Sequence, residues 1–155
     1  MSKFEEILEK DGILVYKTRG VSMEPMLRQE RDLVVIRVPS SRLKKNDVAL
    51  YKRGESVVLH RVIAVRDGYY LMRGDHTYAL ERVPDSNVIG VLAEFNRKGK
   101  QYQASDKRYM GYVRCWNAIY PLRAITAHSI RFAKAVSRRT GFTDFVKKHT
   151  DRRQK

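Results

Sequence analysis

Cysteine occurs once, at Cys115, so no disulfide can close within the chain, and this usage suits a reducing compartment. No run of about 20 apolar residues is present, so no helix is expected to span a bilayer. There is no Cys pair and no His-x₃-His spacing. His60, Asp75 and His76 make a poor mixed ligand set, so neither a metal nor an organic cofactor is expected. The N-terminus, Met1 to Lys10, is short and charged and does not read as a secretion signal. Acidic residues are scarce at one end only. Residues 97–155 hold 16 Lys+Arg against 3 acids, a net +13, whereas residues 1–96 hold 16 against 14, a net +2.

That asymmetry divides the chain. With 155 residues and 43% hydrophobic composition, the simplest organisation is one β domain over residues 1–100 and a basic amphipathic helical tail over 101–155. Phe4, Ile7 and Leu8 recur at i, i+3 and i+4, predicting a short helix over Ser2–Lys10 with Ser2 as N-cap and Asp11-Gly12 as its stop. Short apolar runs then alternate with Gly, Asp and Pro turns. Strands are expected at Ile13–Tyr16, Leu33–Val38, Val48–Tyr51, Val57–Val65, Tyr69–Met72 and Val88–Phe95. Asp67-Gly68 should fold the last two runs before Gly74 into a hairpin, returning Gly74-Asp75 toward His60. The expected fold is mainly β and antiparallel, with little room for parallel βαβ units.

From about Ser105 the period changes. Tyr109, Val113, Trp116 and Tyr120 fall on one helical stripe, and Pro121 should kink or break it. Leu122, Ile125, Phe132 and Val136 give a second apolar face as far as Gly141, and Phe142–Lys155 is short and basic. Helical residues are therefore expected over 105–140.

The stretch Gly20-Val21-Ser22-Met23-Glu24-Pro25 puts a hydroxyl on a stiffened turn beside a strand. Pro25 disfavours helix at Glu24, and Gly20 permits close backbone approach. A serine so placed is either a turn residue or a nucleophile awaiting a base. His60, inside Val57–Ile63, is the candidate base, since its ordinary pKa lets it take and return a proton.

Ser22-Met23-Glu24-Pro25, then His60-Arg61-Val62-Ile63, then Arg73-Gly74-Asp75 form an ordered set. Between Val15 and Phe95 the chain resembles the type I signal peptidases and their relatives, the self-cleaving repressors. Histidine, where bacterial signal peptidases carry lysine, makes it similar to the branch of archaea, the endoplasmic reticulum and some Gram-positive bacteria. The resemblance implies a signal-peptidase-like β domain and a serine endopeptidase that cleaves a peptide or preprotein after small residues. It also implies an acid to orient His60. Asp75 is favoured for this, with Glu81, six residues later, as the other candidate. Gly20 stands where bacterial relatives carry an oxyanion-stabilising serine, so backbone N–H groups, including that of Ser22, would serve instead.

No transmembrane anchor of the signal-peptidase kind is expected, and the 21 residues before Ser22 cannot hold a repressor's helix-turn-helix. A cytoplasmic location follows, with the basic tail as a peripheral contact to the anionic inner face of the membrane. Nucleic acid is the lesser alternative partner for that tail. The rival functional class is a non-enzymatic basic regulator or adaptor that uses the β domain to bind.

Overall fold

The computed structural model describes residues 3–126. The chain divides into two compact units, Met1–Val113 and Arg114–Lys155. The first is mainly β. It opens with α1 (Lys3–Asp11), then β1 (Ile13–Lys17), β2 (Leu33–Arg37), β3 (Val48–Arg53), β4 (Ser56–Arg66), β5 (Tyr69–Arg73), β6 (Glu81–Pro84), β7 (Val88–Arg97) and β8 (Lys100–Gln103). The strands form one antiparallel sheet in the order β1-β2-β7-β3-β4-β5-β6, with β8 also on β7. Each expected strand is present, and β6 and β8 are additional.

Helix α1 carries Glu5 and Glu6 in its first turn and Lys10 in its last, charges that suit the helix dipole. Leu8 is buried, with Phe4 and Ile7 against the same core. Gly12, at φ 69°, ends the helix and donates its N–H to the Leu8 carbonyl. The proposed Ser2 cap lies outside the described residues.

Two long strands organise the sheet. β7 pairs β2 along one edge, while β3 and then β8 share the other. β4 pairs β3 from Ser56 to Arg61 and β5 from Arg61 to Arg66. Residues 56–60 are therefore paired on one side only. The Asp67-Gly68 hairpin forms with Arg66 opposite Tyr69.

Strand alternation sorts side chains onto two faces. On one lie Leu50, Leu59, Ile36 and Leu92, packed with Leu8, Met26 and Val113. On the other lie Ala49, Tyr51, Val62, Tyr70, Met72 and Val83. Each fully buried aliphatic side chain contributes about 1.5–3 kcal/mol through removal from water. His60 and Arg61 are adjacent, so they must face opposite ways.

Helix α2 (Lys107–Ala118) begins in the first unit, where Tyr109 and Val113 are buried. In the second unit the helix breaks at Ile119 and resumes over residues 120–126, the break that Pro121 predicts. There the Arg123 guanidinium stacks 3.6 Å from the Trp116 ring centre. The second apolar face beyond Thr126, the Gly141 stop and the Phe142–Lys155 tail lie outside the described residues.

Candidate active site

Ser22 sits on the connection between β1 and β2, a loop tied at its base. Thr18 N–H donates to the Asp32 carbonyl and Glu30 N–H to that of Thr18. The buried Asp32 carboxylate accepts from the Arg28 N–H at 2.9 Å and from Arg31 at 2.6 and 2.7 Å. Burial alone would raise the Asp32 pKa, but these donors outweigh it and hold the acid below its ordinary value. Inside the loop, Glu24 N–H donates to Val21 O and Leu27 N–H to Met23 O. Neither bond uses the Ser22 N–H. Gly20, at φ 81°, donates its own N–H to the Gln29 side chain at 3.1 Å.

The loop after β5 closes on Ser22 from the other side. His76 N–H donates to the Ser22 carbonyl at 2.8 Å. A Cβ on Gly74 would fall 2.5 Å from the Ser22 carbonyl oxygen, 3.0 Å from Ser22 Cβ and 3.1 Å from His60 Nε2. Ser22 Cβ and His60 Nε2 thus crowd one point and lie no farther apart than the sum of those last two distances. Only glycine leaves room for that approach.

Both residues line an open groove of about 950 Å³. Its walls include Tyr16–Arg19 at the end of β1, and Val57–Leu59 on the singly paired part of β4. His60 is 4% exposed. Burial is the main influence on its imidazole and pushes the pKa below 6.5; Arg53 acts the same way, while Glu81 and Asp75 oppose. His60 is therefore a neutral base at pH 7.

Asp75, favoured from the sequence as the acid for His60, is placed differently. Its carboxylate is gripped by Arg61, through Nε and Nη2, at 2.7 Å each. Arg61 also donates to the Asn46 carbonyl, the Tyr109 hydroxyl and Met26 Sδ. Strand parity is the cause: Asp75 belongs with Arg61, on the opposite side of β4 from His60. Burial disfavours the Arg61 charge, but Asp75 outweighs it and the guanidinium pKa is raised.

The acid on the histidine's own face is Glu81. β6 pairs β5 with Glu81 opposite Met72, in the packing layer of Tyr51 and Val62. Glu81 Oε1 lies 3.6 Å from His60 Nδ1, beyond hydrogen-bond range. Between them stands Tyr51, a residue the motif reading did not single out. Its hydroxyl lies 3.0 Å from His60 Nδ1 and donates to Glu81 Oε2 at 2.6 Å. Arg53 holds the other Glu81 oxygen at 2.9 Å. Burial first, and the Glu81 carboxylate second, raise the Tyr51 pKa, so the phenol keeps its proton.

A signal for Tyr51 was present in the chain. A two-residue turn at Gly54-Glu55 pairs Arg53 with Ser56, which sets Ala49 opposite His60 and Tyr51 two places along the same face. His76 is exposed and borders the groove. Among the described residues no cluster of three or more His, Cys, Asp or Glu side chains is arranged to hold a metal ion. No helix among them is long and apolar enough to cross a membrane. No protein-family model matches the chain, and no curated protein matches it either.

Proposed function

We propose that the first unit is a serine endopeptidase of the signal-peptidase type, with Ser22 as nucleophile and His60 as general base. The observation that carries this reading is the convergence of Ser22 Cβ and His60 Nε2 on Gly74, with both residues lining an open groove. A peptide laid along the groove would run between the end of β1 and the singly paired residues 56–60 of β4. His60 takes the Ser22 proton as Oγ bonds to the substrate carbonyl carbon, then returns it to the departing amine when the C–N bond breaks. Water resolves the ester by the same base. The Ser22 N–H, outside the loop's own hydrogen bonds, is the first oxyanion donor. By its resemblance to the signal peptidases, the enzyme takes small residues before the scissile bond.

The test is digestion of a sequence-diverse peptide library by the purified chain, with new termini read by mass spectrometry. Ser22→Ala and His60→Ala should each reduce cleavage to background, since a general base supplies about 10²–10⁴-fold. If both variants cut at the wild-type rate, the peptidase reading falls and the β unit is a binding module. The net +13 of residues 97–155 gives the same chain an attraction to anionic lipid on the cytoplasmic side of a membrane.

A further inference from the structure

We propose that Tyr51, backed by Glu81, is the positioning residue that holds His60 with its proton on Nδ1, leaving Nε2 as the lone-pair nitrogen facing Ser22. This rests on the Ser22–His60 reading above and names how that base is kept in working form.

One proton decides the arrangement. A phenol has a single hydrogen to donate. Tyr51 directs it to Glu81 Oε2 at 2.6 Å, the shorter and charge-assisted of its two contacts. Toward His60 the phenol oxygen can then only accept. The 3.0 Å contact to Nδ1 is a hydrogen bond if Nδ1 carries the hydrogen and a lone-pair clash if it does not. The proton therefore belongs on Nδ1. Nε2, beside Gly74 and Ser22, keeps the pair that accepts the serine hydrogen. Arg53, at 2.9 Å from Oε1, turns the Glu81 carboxylate so that Oε2 meets the phenol.

Tyr51 itself cannot swivel away. It is 1% exposed, packed between strands among Val62, Met72 and Val83. Nor does it pass its proton on, because burial and the adjacent carboxylate both keep the phenol protonated. When His60 becomes imidazolium, the Nδ1–H bond to Tyr51 persists and Glu81 acts on the new charge across 3.6 Å. Neutral tyrosine thus performs the orienting half of the acid's work, and the carboxylate performs the electrostatic half. The charged groups that act on His60 are Glu81 on β6, Arg53 on β3 and, from the other side of β4, Asp75.

The experiment is ¹H–¹⁵N correlation of the imidazole rings in the full chain at neutral pH, beside library cleavage by the same preparations. Wild-type His60 should show a protonated Nδ1 and a bare Nε2. Glu81→Ala removes the acceptor, lets the phenol proton turn to Nδ1 and should move the histidine proton to Nε2. Glu81→Gln keeps an acceptor oxygen and should retain the wild-type tautomer, with the acid limb of cleavage moved to lower pH. Tyr51→Phe should mix the tautomers and slow cleavage about 10²-fold. Because Tyr51 is buried, the half-buried Glu81 variants decide the matter should Tyr51→Phe misfold. A wild-type proton on Nε2, or a Glu81→Ala tautomer equal to wild type, overturns the proposal. Loss of cleavage in Ser22→Ala is read separately, so the relay can stand if the peptidase reading falls.

Discussion

Two pairs of charged or chargeable groups stand back to back on β4, one on Arg61 and one on His60. Arg61 and Asp75 have side chains 1% and 2% exposed and meet through two 2.7 Å bonds. The remaining Arg61 donors are taken by Asn46, Tyr109 and Met26. Nothing in that cluster is left to react. His60 and Glu81, by contrast, are separated by a phenol, and the histidine lines an open groove with Nε2 beside Gly74. A buried pair with every donor used holds the architecture. A pair with one lone pair held back can do chemistry, because only it has somewhere to put a proton.

The sharpest way to break this comparison is Asp75→Ala. It leaves the Arg61 charge buried without its partner and should cost about 3–5 kcal/mol in urea unfolding. A loss below about 1 kcal/mol would mean the Arg61 side is not structural. Replacing the pair together, as Arg61→Met with Asp75→Leu, should recover most of the loss, since a filled apolar site replaces ion desolvation.

Gly74→Ala comes next. Its methyl would meet the Ser22 carbonyl oxygen at 2.5 Å, with Ser22 Cβ and His60 Nε2 close behind. Relief of that overlap should cost about 1–3 kcal/mol of stability. It should also move Ser22 off the histidine, so library cleavage should fall by more than the stability loss explains.

The third prediction concerns pH. Burial lowers the His60 pKa in the fold, so the unfolded chain binds this proton first. Stability is therefore intact above pH 6.5 and falls as pH drops through the interval between 6.5 and the folded value. His60 contributes a slope of at most about 1.4 kcal/mol per pH unit. Urea titrations at stepped pH should show that slope in wild type and lack it in His60→Gln. Cleavage should likewise keep its rate at pH 6.5 and decline only below it.

Much of this layout is written in the chain, and what is hidden has identifiable causes. The strands β1 to β5 and β7 announce themselves as apolar runs between Gly, Asp and Pro turns. β6 is Glu81-Arg82-Val83-Pro84, with one core side chain and a proline at its end; β8 is Lys100-Gln101-Tyr102-Gln103, a polar edge. Neither pattern differs from a loop. Ser22 and His60 stand out by motif. The partner of His60 does not, because Asp75 is nearer in sequence and only strand parity assigns it to Arg61.

Glu81→Gln is the mild counterpart of Asp75→Ala. The Arg53–Glu81 contact is 57% and 27% exposed, so its loss should change stability by less than about 1 kcal/mol. Equal costs for the two acids in the same urea series would erase the distinction between the faces. The remaining test belongs to the C-terminal part and leaves the β4 faces untouched. Co-sedimentation with anionic vesicles should weaken when the chain ends after Ala118, which keeps β8 and α2, by about 1 kcal/mol for each basic residue that had reached the surface. Binding to neutral vesicles alone, or to DNA with a steep salt dependence, would count against a lipid partner.

The alternation of His60 and Arg61 has a genetic consequence. The 54–55 turn sets the register of β4 against β3, and every side chain from Ser56 to Arg61 inherits its face from that count. Deleting one residue between Ser56 and Leu59 would turn the histidine into the apolar core and the arginine out toward Glu81. Reading frame and chemistry would survive in the gene while both clusters failed in the protein. A one-residue change within 56–59 therefore costs both clusters where no bulge absorbs it, whereas a two-residue change keeps each side chain on its face.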